Sequence, residues 1–331
     1  MASGTARRAR LRKKCGEICS LEGADYEGLH AITTFDSALE LKLETPGGVG
    51  TRVYMLDASG KRYKQFDLLN QELTFDVDMS TLPCGSNGAL YFSKMDADGG
   101  IARFLTNNAG AEYGTGYCDA QCTKEVKFIN GEANLEHKYG ACCTEMDIWE
   151  ANSMATAYTT HPCSTDGQER CIADEDCGAT KETRYSGWCD KPGCSFNPYR
   201  MGLKKFYGRG KSYDIDTTRP FSVITQFITD DDTETGELVE IRRLTWATLN
   251  GTDSITDAMC NSSKALFNDH PYVMGGLAQL SKQIVGGMTL VMSIWVDYGS
   301  NMTWLDSFKT GEDPKDPGAL RGDCPNPGGD P

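Results

Sequence analysis

The fourteen cysteines do most to limit what this chain of 331 residues can fold into. Such a density is unusual in a reducing cytosol and ordinary in an exported protein stapled by disulfides. Zinc is the rival use, because Cys15/Cys19 and Cys118/Cys122 are each spaced C-x3-C. Only four histidines are present, and no cluster has the ligand spacing of a zinc finger. We therefore read the cysteines as disulfides and expect neither a metal nor a cofactor. The sequons Asn250-Gly-Thr252, Asn261-Ser-Ser263 and Asn301-Met-Thr303 agree with export.

Charge narrows the partners. A formal net charge of −14 repels nucleic acid and anionic membrane, whereas a neutral polymer is indifferent to it. No apolar run is long enough for a transmembrane helix. Residues 1–14 carry Arg7, Arg8, Arg10, Arg12, Lys13 and Lys14 with no apolar stretch behind them, so they are not a signal peptide. We read them as a basic leader outside the fold, and 15–331 as one domain.

The hydrophobic pattern is that of strands. Leu39, Leu41 and Leu43 alternate with Glu40, Lys42 and Glu44; Leu73, Phe75, Val77 and Met79 alternate with Thr74, Asp76, Asp78 and Ser80. Residues 89–92, 222–228 and 289–298 are further candidates, rich in β-branched and aromatic residues. Long loops loaded with Gly, Asn, Asp and Cys separate them, and 36 glycines fit a β-sandwich with elaborate connections.

One stretch carries chemistry: Cys142-Cys143-Thr144-Glu145-Met146-Asp147-Ile148-Trp149-Glu150-Ala151-Asn152. Met146 and Ile148 alternate with Glu145 and Asp147, so a strand projects both acids from one face. Adjacent acids repel, which makes sense where one must keep its proton in order to donate it. Glu150 has the wrong parity for that face, and a one-residue β-bulge would restore it. Retaining glycosidases use two carboxyls about 5–5.5 Å apart, one as nucleophile and one as acid/base. A solvated acidic strand face and a calcium site are the blander readings of the motif, and Asp96-Ala-Asp98-Gly99 reads as a turn.

The surroundings separate these readings. The run CCTEMDIWEAN, His161-Pro162-Cys163, Phe196-Asn-Pro-Tyr-Arg200, residues 82–92, 113–122 and 288–295 together resemble glycoside hydrolase family 7, the cellobiohydrolases and endoglucanases. The resemblance runs from about Cys15 to Cys324. It implies an all-β, concanavalin-like jelly-roll sandwich whose disulfide-stapled loops form a cleft or tunnel. It also implies retaining hydrolysis of β-1,4-glucosidic bonds in cellulose, acting as a secreted monomer on cellulose or cello-oligosaccharides. Position by position, Glu145 matches the nucleophile, Glu150 the acid/base, Asp147 their assistant and His161 a histidine beside them. Asn87, Tyr91, Tyr117, Asp119 and Gln121 match groups along the sugar path. Trp295 and Trp304 match stacking platforms, and Arg184, Arg200 and Arg321 match arginines at the product end.

The implied disulfides are Cys118–Cys143, Cys122–Cys142, Cys163–Cys189, Cys171–Cys177, Cys194–Cys260 and Cys84–Cys324. Cys15 and Cys19 are left over, because the family's partners lie upstream, and Ser20 replaces a third cysteine. The family's closing strand lies beyond Pro331, and a shortening around Leu244–Cys260 removes another, so the resemblance implies a domain lacking terminal strands. The short 131–142 segment is endoglucanase-like and would open the cleft. The long 178–187 and 309–321 segments are cellobiohydrolase-like, and we favour that activity. Pro192 and Ser195 stand where many cellobiohydrolases place acids that hold product. The alternatives are an endoglucanase with an open cleft and a non-catalytic glucan-binding sandwich or inactive fragment.

Overall fold

Alternating strands become two stacked sheets in the computed structural model, which describes residues 4–244, 253–271 and 274–326. The strands used below, in chain order, are β1 (Thr51–Tyr54), β2 (Gln65–Phe66), β3 (Glu72–Val77), β4 (Ser86–Ser93), β5 (Glu145–Ala151) and β6 (Thr156–His161). They continue with β7 (Cys194–Phe196), β8 (Phe221–Thr229), β9 (Leu238–Leu244), β10 (Ser254–Ile255) and β11 (Met288–Val296). One sheet has the order β7-β6-β5-β4-β11-β1, with β2 also paired to β11; the other has the order β10-β9-β8-β3. This is the expected jelly-roll sandwich.

The core lies between the sheets. Phe92, Met146, Ile148 and Leu290 from the first sheet meet Phe227, Leu238 and Ile241 from the second. Each such side chain, once buried, contributes about 1.5–3 kcal/mol. In β8, Val223, Thr225, Phe227 and Thr229 are buried while the residues between them are half-exposed, so the second sheet turns one face to water. By contrast β5 is buried along its whole length, because loops cover the face that the core does not.

Helix is more prominent than the sequence pattern suggested. Helix α1 (Gly4–Ile18) runs through the basic segment, where Arg12 donates to Glu136 and to the Tyr139 hydroxyl. Helices α2 (Asp257–Leu266) and α3 (Gly276–Ile284) cover the second sheet's edge, with Leu277, Leu280 and Ile284 in the core. The strand expected over 39–43 is shorter: Ala38–Glu40 pairs only with Thr33–Phe35. Its leucines alternate in exposure as predicted, but no sheet continues the ladder, so the segment ends as an isolated hairpin.

All six implied disulfides form. Cys15 and Cys19 remain thiols one helical turn apart, with Sγ atoms separated by 2.7 Å. Asp98 receives the N–H groups of Gly100 and Ala102, so the 96–99 segment is a turn. Of the sequons, Asn261 is exposed on α2, while Asn250-Gly-Thr252 lies outside the described residues, as does part of the 244–260 segment.

Candidate active site

The bulge anticipated in β5 is present and it decides the site. Against β6, Glu145, Met146 and Asp147 pair in register with His161, Thr160 and Thr159, but the pairing slips by one before Glu150 meets Ala157. The same slip separates Asp147 from Trp149 against β4. Ile148 and Trp149 consequently both enter the core, and Glu150 returns to the face of Glu145 and Asp147. The three acids line one cleft of about 900 Å³.

The cleft crosses the strands of the first sheet. At one edge Arg52 projects from β1, followed by Trp295 on β11, Tyr91 on β4, the acids on β5 and His161 on β6. Ser195 on β7 and the loops beside it close the other edge.

A disulfide pair fixes what lies over Glu145. Cys118–Cys143 and Cys122–Cys142 tether residues 118–122 to the Cys142-Cys143 pair, one residue ahead of β5. Held there, the Ala120 N–H donates to Glu145 Oε2 at 2.9 Å. Glu150 Oε1 accepts from Asn87 Nδ2 at 3.0 Å, and Asn87 Oδ1 in turn accepts the Ala151 N–H. Asp147 hydrogen-bonds Glu145 and lies 3.1 Å from His161 Nε2.

The second nitrogen of His161, Nδ1, is 2.8 Å from the Asp190 carbonyl. A carbonyl only accepts, so Nδ1 carries a proton and Nε2 shares a further one with Asp147. Gly193 is required beside this ring: at φ 61° a Cβ there would lie 2.4 Å from Thr160 O and 2.5 Å from His161 Nδ1.

Burial pushes all three carboxyls above their ordinary range. For Glu145 the charges of Asp147 and Asp119 add to burial, while His161 and the Ala120 N–H oppose it. Glu150 strengthens the rise at Asp147, and at Glu150 itself burial is opposed by His161 and Asn87. Three adjacent desolvated acids cannot all ionise, so the cluster holds protons where exposed carboxylates have lost them.

The remaining expected residues separate into groups. Tyr91 donates to the Tyr117 hydroxyl and Tyr117 donates to Asp119, each at 2.9 Å, along one wall. Gln121 lines the cleft and donates to the Lys191 carbonyl. Trp295 and Trp304 stack with centroids 6.2 Å apart. Arg184, Arg200 and Arg321 gather at the β7 end, where Arg200 is already gripped by Asp269 through bonds of 2.7 and 2.9 Å. Asn87 is fully buried, so its contact is Glu150 and not the open cleft.

Arg52 was missed. Its guanidinium lies 3.5 Å from the centre of the Tyr117 ring, and its Nε donates to the Tyr54 hydroxyl. The signal available in the sequence was an arginine flanked by strand formers in Thr51-Arg-Val-Tyr54.

The comparisons with known proteins agree with this geometry. The family model "Glycosyl hydrolase family 7" matches residues 5–331. A family 7 cellobiohydrolase from Daphnia pulex superposes with a TM-score of 0.85 at 44% identity, over 92% of this chain and 76% of that one. A Melanocarpus albomyces cellobiohydrolase complexed with cellotetraose gives 0.84 at 40% identity, over 95% and 78%. The Humicola insolens endocellulase EGI gives 0.75 at 37%, over 94% and 75%.

Proposed function

Because the chain belongs to glycosyl hydrolase family 7, we propose a division of labour among its cleft residues for retaining hydrolysis of cellulose. The protein is a β-1,4-glucan hydrolase, and it is more similar to the two cellobiohydrolases than to the Humicola endocellulase. It binds cello-oligosaccharides. We take it to work outside the cell, a reading supported by its six disulfides.

The observation that carries the residue roles is the β5 bulge, which puts Glu145, Asp147 and Glu150 on one face of one cleft. In the first step Glu145 attacks the anomeric carbon as Glu150 protonates the departing glycosidic oxygen, leaving a glycosyl ester on Glu145. In the second, Glu150 takes a proton from water, which attacks the same carbon and frees Glu145. Two inversions give net retention. Asp147 and His161 act through Glu145: the proton they share lets the nucleophile's charge form and disperse without solvent. Trp295 and Trp304 offer faces to the apolar faces of the glucose rings.

Cellopentaose hydrolysis followed by proton NMR tests the reading. The newly formed reducing end, on the product released from the glycosyl ester, appearing first as the β-anomer is the expected result. Initial α-anomer would overturn the nucleophile assignment, and absence of cleavage would overturn the activity.

A further inference from the structure

At the β7 end of the cleft, positive charge exceeds what the local acids balance. Arg184, Lys191, Arg200, Lys264, Lys309 and Arg321 all line that end. Asp269 is committed to Arg200 and Glu312 to Arg321, the latter at 2.6 Å. Asp190 accepts the Gly193 N–H and lies near enough to Lys264 to favour its charge. Lys191 and Lys264 are only 8% and 7% exposed, yet neither ammonium has a hydrogen-bond or ion-pair partner among the described residues. Among the described residues the side chains of Arg184 and Lys309 have no hydrogen-bond or ion-pair partner either.

These groups destabilise one another. Burial and the neighbouring Arg184 push Lys191 down to about 8, against a weaker pull from Asp119. Lys309 stays open to the cleft but is surrounded by protein, and that together with Arg321 pushes it to about 8 as well. In a chain with a net charge of −14, such a concentration of unpaired cations is a local feature. An anion placed among them would relieve both the desolvation and the repulsion.

The position of the patch restricts that anion. It continues the sugar path beyond His161, and the middle of the path is the cluster of Glu145, Asp147 and Glu150. A polyanion threaded through the cleft would have to cross those acids, whereas a neutral glucan with one charged terminal unit would not. Ser195 and Pro192 contribute no acid at this end.

We infer that the β7 end of the cleft is a binding site for an acidic sugar, a terminal aldonic or uronic acid of a β-glucan, held by Lys191, Lys309 and Arg184. The inference rests on the proposed reading of the cleft as a glucan path. Its consequence is selectivity for acidic over neutral disaccharides at that end.

Competitive inhibition of an activated aryl cellobioside at pH 6 tests it, using cellobionate, glucuronosyl-glucose and cellobiose as inhibitors in low and high salt. At least one acid should inhibit about tenfold more tightly than cellobiose, as one added charge-assisted pair implies, and high salt should erase the gap. Which acid wins identifies an aldonate or a uronate. In Lys191→Gln/Lys309→Gln the acid-to-neutral ratio should fall towards one; if that variant does not fold, the salt dependence of the wild-type ratio decides. Acids that bind no tighter than cellobiose would overturn the inference. Loss of neutral cellopentaose cleavage would instead overturn the proposed function, so the two failures are distinguishable.

Discussion

His161 and Asp147 meet at 3.1 Å across the β5–β6 ladder, although Asp147 pairs in register with Thr159 and it is Glu145 that stands opposite the histidine. The histidine thus reaches diagonally to the middle acid while its other nitrogen is held by the Asp190 carbonyl. This contact ties a buried proton network to the loop before β7, and it frames what substitutions around the acids should do.

Glu145→Gln should remove turnover and leave cello-oligosaccharide binding largely intact. The amide keeps the shape and can still accept from Ala120, but it cannot form the glycosyl ester. Loss of a covalent step costs many orders of magnitude, so residual activity above about a tenth of wild type would refute the role. Stopped assays paired with calorimetric titration of cellotetraose measure both halves.

Glu150→Gln should separate substrates by leaving group. Cellulose hydrolysis should collapse by roughly 10²–10⁴-fold, the usual worth of a general acid, while an activated aryl glycoside is spared in its first step. Azide should then rescue the second step and yield a glycosyl azide, detectable by mass spectrometry. Equal losses on both substrates would count against the assignment.

The carboxyl cluster makes stability depend on pH in a definite sense. Glu150 and Asp147 have folded pKa values raised above the unfolded ones, chiefly by burial. Their favourable contribution is therefore full below the unfolded value and is lost as pH rises through the folded one. Glu150→Gln should melt higher than wild type at pH 7, by about 1–4 °C, and show no gain near pH 3. The same raised value should carry the alkaline limb of kcat/KM above the ordinary carboxylate pKa of about 4.3. Differential scanning calorimetry and pH–rate profiles check the two statements.

Gly193→Ala tests His161 without touching it. The added methyl would collide with the Thr160 carbonyl and the imidazole at a backbone angle that alanine adopts poorly. We expect kcat to fall about tenfold or more, as displaced catalytic groups commonly cause, with KM little changed. The alkaline limb should move as well, since the Asp147–His161 contact helps set the cluster's protons. A uniform loss of active protein with an unaltered profile would mean a folding defect only.

Arg52→Ala should act on length. Arg52 sits at the β1 edge, far along the cleft from β7, so only longer oligosaccharides reach it. Removing a charged donor should raise KM about 10-fold for cellohexaose and leave cellotriose nearly unaffected. Equal effects on both lengths would show that the arginine supports Tyr117 and Tyr54 and not the sugar.

Much of this protein was legible before any coordinates. Alternation in residues 73–79 and the β-branched and aromatic run 222–228 gave β3 and β8 within a residue or two, because a half-buried strand leaves its period or its composition in the sequence. The parity of Glu145, Asp147 and Glu150 demanded a bulge, since no flat strand presents residues five apart on one face. The cysteines signalled export chemistry, and the resemblance supplied their pairing.

Other features exist only once the chain is folded. Helices α2 and α3 escaped notice because their burial is set by the sheet edge they cover. The Ala120 N–H reaches Glu145 only through two disulfides that close over it. Arg52 joins Tyr117, and Lys191 and Lys309 come to line one cleft, from segments far apart in sequence. Sequence determined which side chains each strand could offer to its two faces, because that follows from a local period of two. Tertiary structure decided which faces met, how much water was left between them, and so which charges stand unpaired; desolvation and Coulomb energy depend on distance in space, which no local pattern encodes.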